Sequence, residues 1–410
     1  MWEQIRYNRL RSMILVIFMG TLLVLLGCFI GMYLFDSPAA GITIAAVVWI
    51  IMTLVSYFGG DGILLSFAGA RKIKKEDCPR LFDVVEEMKI AAGLPAIPDV
   101  YIIDDSALNA FATGRDPQKA SVAITSGLLQ KLNRDELQGV ISHETAHIKN
   151  QDVLLMSMAA VLLGTIVTLS YQFSRIMFYS GRSSSRRSSS SNSGSAGAIV
   201  VIIGLVFIIL APIFANLLYY AISRRREYLA DASGALYTRY PEGLASALEK
   251  LGASTVQVRA ATQTTAPMYI VNPFRKAGQT ATDWTSTHPP ISERVRILLA
   301  MGGASYLDYE KAYEMTKRGE NVIPDSALSF SAAVPIRLPS VEGTLADADA
   351  SVVGEYPDLT TRTRETQDLL FSMDNYKQVN CQCGALLRIP PRYGAPTVRC
   401  PHCGTFNNIK

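Results

Sequence analysis

Residues 143 to 147 read His-Glu-Thr-Ala-His within a stretch of helical periodicity. Histidines at positions i and i+4 of a helix lie one turn apart on one face, so His143 and His147 can bind a single metal ion. Glu144, between them, is then placed to take a proton from a metal-bound water. The chemistry that such a set serves is zinc-assisted hydrolysis, in which three protein ligands leave one position open for water. A third ligand is therefore required. The chain has four histidines in all, and Asn150 and Val153 stand where a metzincin would place its glycine and third histidine, which excludes that variant.

The sequence Arg224-Arg225-Arg226-Glu227-Tyr228-Leu229-Ala230-Asp231 supplies the missing ligand. Glu227 is read as the third ligand. Asp231, one helical turn on, can accept the hydrogen bond of a ligating imidazole and so set its tautomer. The plainer reading of Glu227 is a solvated partner of the arginines. Glu144 shares a face with Val140 and Ile148, where a buried carboxylate is costly unless a metal, a proton or a substrate compensates.

A second metal pattern lies near the C-terminus. Cys381-x-Cys383 and Cys400-x-x-Cys403 have the spacing of a four-thiolate zinc ribbon, and with Cys28 and Cys78 they make up the six cysteines. Such clustering points to metal rather than to disulfides, and to a reducing compartment. The single residue inside the first pair leaves room for thiols that oxidise and release zinc, beside a purely structural ribbon. His402 lies between two of the ligands. Two zinc ions per chain are expected, one catalytic and one structural.

The elements that must position these residues include long apolar blocks. Of the 410 residues 49% are hydrophobic and the mean hydropathy is +0.20. Blocks 13–35, 41–60, 153–171 and 196–222 hold no charged residue, and each is long enough to cross a hydrocarbon core of about 30 Å. The first exceeds a signal-peptide core of about 7 to 15 residues, and a second block follows at once, so an uncleaved hairpin is expected. Arginines before the first block and Arg71, Lys72, Lys74 and Lys75 after the second put both flanks in the cytoplasm. The arginines between the last two blocks conflict with that rule if both cross, so a re-entrant hairpin stays open. A net charge of +4 is too small and scattered to argue for nucleic acid.

Between the hairpins Pro79 opens a helix through Ala92, and strands are expected at 99–103, 110–113 and 122–125. Asn133 and Glu136 form a capping pair for the histidine helix. That helix is expected to run on into block 153–171, with about 9 Å of helix from His147 to Val153 and about 7.5 Å from Ile222 to Glu227. The metal site then sits at the membrane surface. The expected architecture is membrane α-helical hairpins with a mostly α (α+β) zincin-type catalytic domain and a small zinc ribbon. Its parts are an N-terminal hairpin (1–60), a first catalytic half (61–152), a second hairpin with a Ser-rich loop (153–222), a second catalytic half (223–324), a linker (325–375) and the ribbon (376–410).

Over residues 1 to about 300 the sequence resembles the HtpX-type membrane zinc metalloproteases, gluzincins with a later glutamate in an E-x-x-x-D sequence. The residues that carry the resemblance are Asn109-Ala110-Phe111-Ala112, Leu132 to Glu136, His143 to His147, Ser223 to Asp231 and Ser286 to Pro290. The resemblance implies an endopeptidase that degrades damaged or misassembled membrane proteins, with His143, His147 and Glu227 as ligands and Glu144 as general base. It also implies that Asn109, Ala110 and Phe111 belong to an edge strand that pairs with extended substrate, although core packing explains Phe111 equally well. His288, before Pro289-Pro290 and a helix carrying Arg294, matches a position that assists at the oxyanion; a structural histidine is the alternative.

The partners so implied are membrane or juxtamembrane polypeptides and the lipid bilayer. The location is the cell membrane, multi-pass, with the active site and both termini cytoplasmic. The alternatives to a protease are an inactive zinc-bound adaptor that recruits partners through the ribbon, and a regulator whose basic ribbon touches nucleic acid. Nothing in the sequence sets the oligomeric state.

Overall fold

The computed structural model describes residues 2–180, 213, 224–261, 265–274, 289–317, 322–329, 332–340 and 357–409. Two helices, α1 (Trp2–Phe35) and α2 (Pro38–Phe67), form the N-terminal hairpin. Asp36, in a left-handed conformation, and Ser37 make a tighter turn than the five-residue one expected. Ser37 caps α2 by accepting from the Ala40 N–H, and Pro38 takes the first helical position, where its missing N–H costs nothing. Small residues let the two helices approach: a Cβ built on Gly41 would lie 2.1 Å from the Gly27 carbonyl oxygen. Among the described residues α2 is the one helix long and apolar enough to cross a membrane, by length and composition; Val16–Met32 of α1 is a shorter apolar stretch.

A four-stranded mixed sheet follows, built from β1 (Ala70–Lys72), β2 (Asp99–Ile103), β3 (Ala110–Gly114) and β4 (Ala120–Thr125). Its order is β1-β2-β4-β3, with β2 and β4 parallel and the other pairs antiparallel. Strand alternation divides the side chains between two cores. Val100, Ile102, Ala110, Ala112, Val122 and Ile124 join the main core with helix α3 (Pro79–Ala92). Ile103, Phe111 and Ala123 face the other way, onto Leu64 and Leu65 at the end of α2 and onto Tyr269. Strand β1 escapes sequence reading because three residues, two of them charged, read as the basic flank of a membrane helix.

Beyond α4 (Ser126–Lys131), helix α5 (Arg134–Lys149) carries the histidines and starts with a full capping box between Asn133 and Glu136. It does not run on into the third apolar block. Asn150 closes it and Gln151 adopts a left-handed conformation, φ 56°, before α6 (Asp152–Ser180) begins. The helical residues 224–238 (α7) bring Glu227 and Asp231 against α5, and α8 (Pro241–Ala253), α9 (Ile291–Leu299) and α10 (Tyr306–Thr316) complete this body. Most of block 196–222 and the whole Ser-rich loop lie outside the described residues.

The expected linker 325–375 holds more structure than its composition implied. It contains α11 (Asp325–Leu328), an irregular segment 332–340 and α12 (Leu359–Met373), whose Leu369 enters the main core. The ribbon comprises two hairpins, β5 (Lys377–Asn380) with β6 (Leu386–Ile389) and β7 (Thr397–Arg399) with β8 (Phe406–Asn408).

Candidate metal centre and active site

Helix α5 presents His143, Glu144 and His147 from its buried face, and α7 presents Glu227 opposite them. The two imidazole Nε2 atoms lie 3.2 Å apart. From Glu227, Oε2 is 3.6 Å from Nε2 of His143 and Oε1 is 3.5 Å from Nε2 of His147. All three donor groups fall within 4.8 Å of one another. Both Nδ1 atoms are engaged elsewhere. His143 Nδ1 is 3.0 Å from Asp231 Oδ1, and His147 Nδ1 is 3.2 Å from Asp152 Oδ2. A carboxylate on each Nδ1 fixes the tautomer that leaves the Nε2 lone pair free to ligate, so the donor set fits zinc.

A buried cation balances this acidic pocket. Arg294 of α9 is fully enclosed and donates from Nε and Nη2 to Asp231 at 2.8 and 2.7 Å, while its Nη1 lies 3.4 Å from Glu227. Burial pushes the Asp231 carboxyl up, but the charge of Arg294 and the hydrogen bonds from His143 and Arg294 outweigh it and hold the group below its ordinary value. Burial also disfavours the charged form of His143. The hydrogen bonds to Asp231 and Glu227 win there, and without a metal the imidazole rises to about 9.

Glu144 is buried. Burial raises its carboxyl, against the opposing pull of His143, His147 and a backbone hydrogen bond from Ala112. A carboxylate whose proton affinity is raised is better able to take a proton and give it back. The contact with Ala112 places the base beside β3, an edge strand of the sheet.

The residues expected to receive substrate have other contacts. Asn109 is buried, donating to the Val271 carbonyl at 2.9 Å, and the Ile270 N–H donates to the Ala110 carbonyl at 3.0 Å. Phe111 packs edge-on against Tyr269, ring centroids 5.1 Å apart. The edge at 109–111 is thus already covered by residues 269–271, and Ala112 is the strand residue that meets the site. His288 lies outside the described residues.

Two site residues carried no role in the sequence reading. Asp152 was the polar boundary of an apolar block, an ordinary residue for the first turn of a helix. Arg294 had a detectable signal: Ile297 and Leu298 follow it at i+3 and i+4, which places the arginine on the buried stripe of α9.

In the ribbon, the four cysteine sulfurs converge within 4.8 Å. Cys381 and Cys403 are 3.5 Å apart and Cys383 and Cys400 3.7 Å. Gly384 and Gly404, at φ 85° and 78°, turn the chain tightly after each pair, a conformation that glycine adopts without strain. Hydrogen bonding by Thr405 draws the Cys403 thiol down to about 6.

Comparison with known proteins covers the part of the chain that holds these residues. A model of peptidase family M48 matches residues 76–301, and a protease HtpX homolog of Dictyoglomus thermophilum is 45% identical over 301 residues, 73% of this chain and 95% of that protein. The chain belongs to peptidase family M48. A protease HtpX homolog of Streptococcus gordonii is 39% identical over 301 residues, covering 73% of this chain and all of that protein. Among solved structures, the crystal structure of S. mikatae Ste24p matches 73% of this chain and 67% of its own at 17% identity, with a TM-score of 0.39 too low to bear on the fold. This M48 chain is an HtpX-type metalloprotease, and zinc is the metal of its family.

Proposed function

We propose that this metalloprotease is a membrane-bound zinc endopeptidase that cleaves misfolded or damaged membrane proteins at the cytoplasmic membrane surface. The observation that carries the reading is the paired orientation of His143 and His147, each with Nδ1 on a carboxylate and Nε2 toward Glu227. His143, His147 and Glu227 would hold the zinc. Bound there, zinc supplies a Lewis acid for the scissile carbonyl and lowers the pKa of water to about 7. Glu144 takes the proton and delivers it to the leaving amine, while Asp231 and Asp152 hold the two imidazoles in place. Extended substrate would lie along β3 on the Ala112 side, recognised through its main chain, which accounts for broad specificity.

The membrane setting rests on α2, whose end packs in one core with Phe111 and Tyr269 beside the site. In this reading the protein is multi-pass, with its active site and both termini cytoplasmic, and the cysteine cluster is a second, structural zinc site. The deciding experiment compares purified wild type with Glu144→Gln on casein and on a misfolded membrane protein. The variant should retain zinc and lose proteolysis by a factor of about 10² or more. Unchanged cleavage would overturn the mechanism.

A further inference from the structure

Residues 332–340 lie beyond the part of the chain that the M48 model matches and belong to no helix or strand, yet they bind both helices that carry the metal-site ligands and the connection that follows α9. The hub is Arg337. Its Nη2 donates to Asp135 Oδ1 at 2.5 Å and to Gln138 Oε1 at 2.8 Å, both on the first turns of α5. Its Nε donates to the Thr238 carbonyl at 3.0 Å, and its own backbone N–H to the Arg239 carbonyl at 2.8 Å, at the C-terminal end of α7. The guanidinium also stands 4.9 Å over the Tyr240 ring.

Neighbouring residues extend the strap. Ser340 donates to the Asp135 carboxylate from its backbone N–H at 2.7 Å and from its hydroxyl at 2.8 Å. The Val334 carbonyl accepts from the Ala304 N–H at 2.8 Å, in the connection between α9 and α10. A Cβ built on Gly303 would lie 2.4 Å from the Asp308 carboxylate and 3.2 Å from that carbonyl, so this turn is closely packed.

The two helices tied in this way carry His143 and His147, and Glu227 and Asp231, respectively. Asp135 is eight residues from His143, about 12 Å of helix, and Thr238 is seven from Asp231, about 10 Å. Arg337 thus touches no reacting group. Its bonds join the far ends of α5 and α7, and sliding or splaying of one against the other would change the gap between the histidine pair and Glu227. A planar guanidinium is suited to this, because one rigid fork meets a carboxylate, an amide and a helix-terminal carbonyl together.

We infer that Arg337 is a positioning residue: the C-terminal strap holds the two ligand-bearing helices in the register that the metal site requires. The inference rests on the reading of His143, His147 and Glu227 as ligands. The experiment uses the full chain in detergent and measures zinc retention against a chelator, kcat and KM on a peptide substrate, and thermal unfolding. Arg337→Ala should lose zinc roughly tenfold faster and lower kcat with KM little changed. Arg337→Lys, which keeps the charge on Asp135 without the fork, should recover part of both. Ser340→Ala is the milder variant should Arg337→Ala fail to fold, and should move zinc retention in the same direction. Glu227→Ala separates the two readings. If it retains zinc at the histidine site, the ligand assignment fails; if it loses zinc while Arg337→Ala and Ser340→Ala retain it with unchanged kcat, the strap is only structural and the inference is overturned.

Discussion

The Nδ1 atom of His147 lies 3.2 Å from Asp152 Oδ2 across the break between α5 and α6, so the break itself supplies a partner for the metal site. In a continuous helix a residue five positions on would point about 140° away from His147. The left-handed Gln151 redirects the chain and brings Asp152 back. Arg226 of α7, its Nη1 3.9 Å from Asp152 Oδ1, adds charge to the same junction. Asp152→Asn should therefore weaken zinc binding by roughly 10- to 100-fold, as changes to groups that orient a ligating histidine do. Competition with a calibrated chelator measures this, and an Asp152→Asn chain that binds zinc as tightly as wild type would refute it.

Arg294 and Asp231 form a fully buried, doubly hydrogen-bonded ion pair. Removing one member strands the other, which costs about 3–5 kcal/mol, whereas exposed substitutions stay within about 0.5 kcal/mol. Thermal unfolding of the metal-free protein should thus fall sharply in Arg294→Met and hardly at all in Arg296→Met, two residues along on the exposed side of α9. Equal melting of the two variants would show that the pair is not the anchor its geometry implies.

The histidine pair was legible because helical spacing brings i and i+4 together, Glu227 because Asp231 follows it one turn on, and the strands because they are short apolar runs bounded by turns. Asp152 was not, since its position depends on a two-residue break that no periodicity encodes. The strap around Arg337 escaped for a related reason: a short apolar run broken by prolines, between Ser- and Asp-rich stretches, reads as a linker, and its partners stand some 100 to 200 positions away in sequence. Phe111 shows the converse. A motif placed it at the substrate edge, but the sheet turns odd and even positions of β3 to opposite cores, and Phe111 falls on the Tyr269 side.

Gly139 lies one turn before His143 on the face that α8 crosses. A Cβ there would come within 2.7 Å of the backbone N and Cα of Leu244. Backbone cannot move aside as a side chain can, so Gly139→Ala should push α8 from α5 at a cost of about 1–3 kcal/mol. A lowered unfolding temperature is the expected reading. Stabilisation, as helix propensity alone would give, would count against the packing argument.

The metal-free site should titrate. Folded His143 is raised from the usual 6.5 to about 9. The protonated imidazole therefore stabilises the metal-free fold fully below pH 6.5, and this contribution disappears as pH climbs through about 9. Zinc takes the place of that proton. Calorimetric zinc titrations at pH 7.5, in buffers of different ionisation enthalpy, should report release of about one proton from this site, falling toward none at pH 10. A Cys400→Ser background keeps the thiols from confusing the count. Release that stays constant across this range would contradict a protonated His143.

Cys400 is 1% exposed and belongs to a small core with Cys381 and Leu387, whereas the catalytic pocket shares no side chain with it. Thiolate zinc contributes directly to the folding of so small a module. Cys400→Ser should therefore lower the zinc content from about two per chain to about one and melt the ribbon. The pairing of Arg388 with Asp368 of α12, whose Leu369 lies in the main core, does not pass through the metal. Peptide cleavage in detergent should then persist, and His143→Ala should remove the other zinc and all cleavage. A chain that keeps a single zinc through both substitutions would show that neither cluster binds it as described, while loss of cleavage in Cys400→Ser would mean that the ribbon reaches the active site through α12.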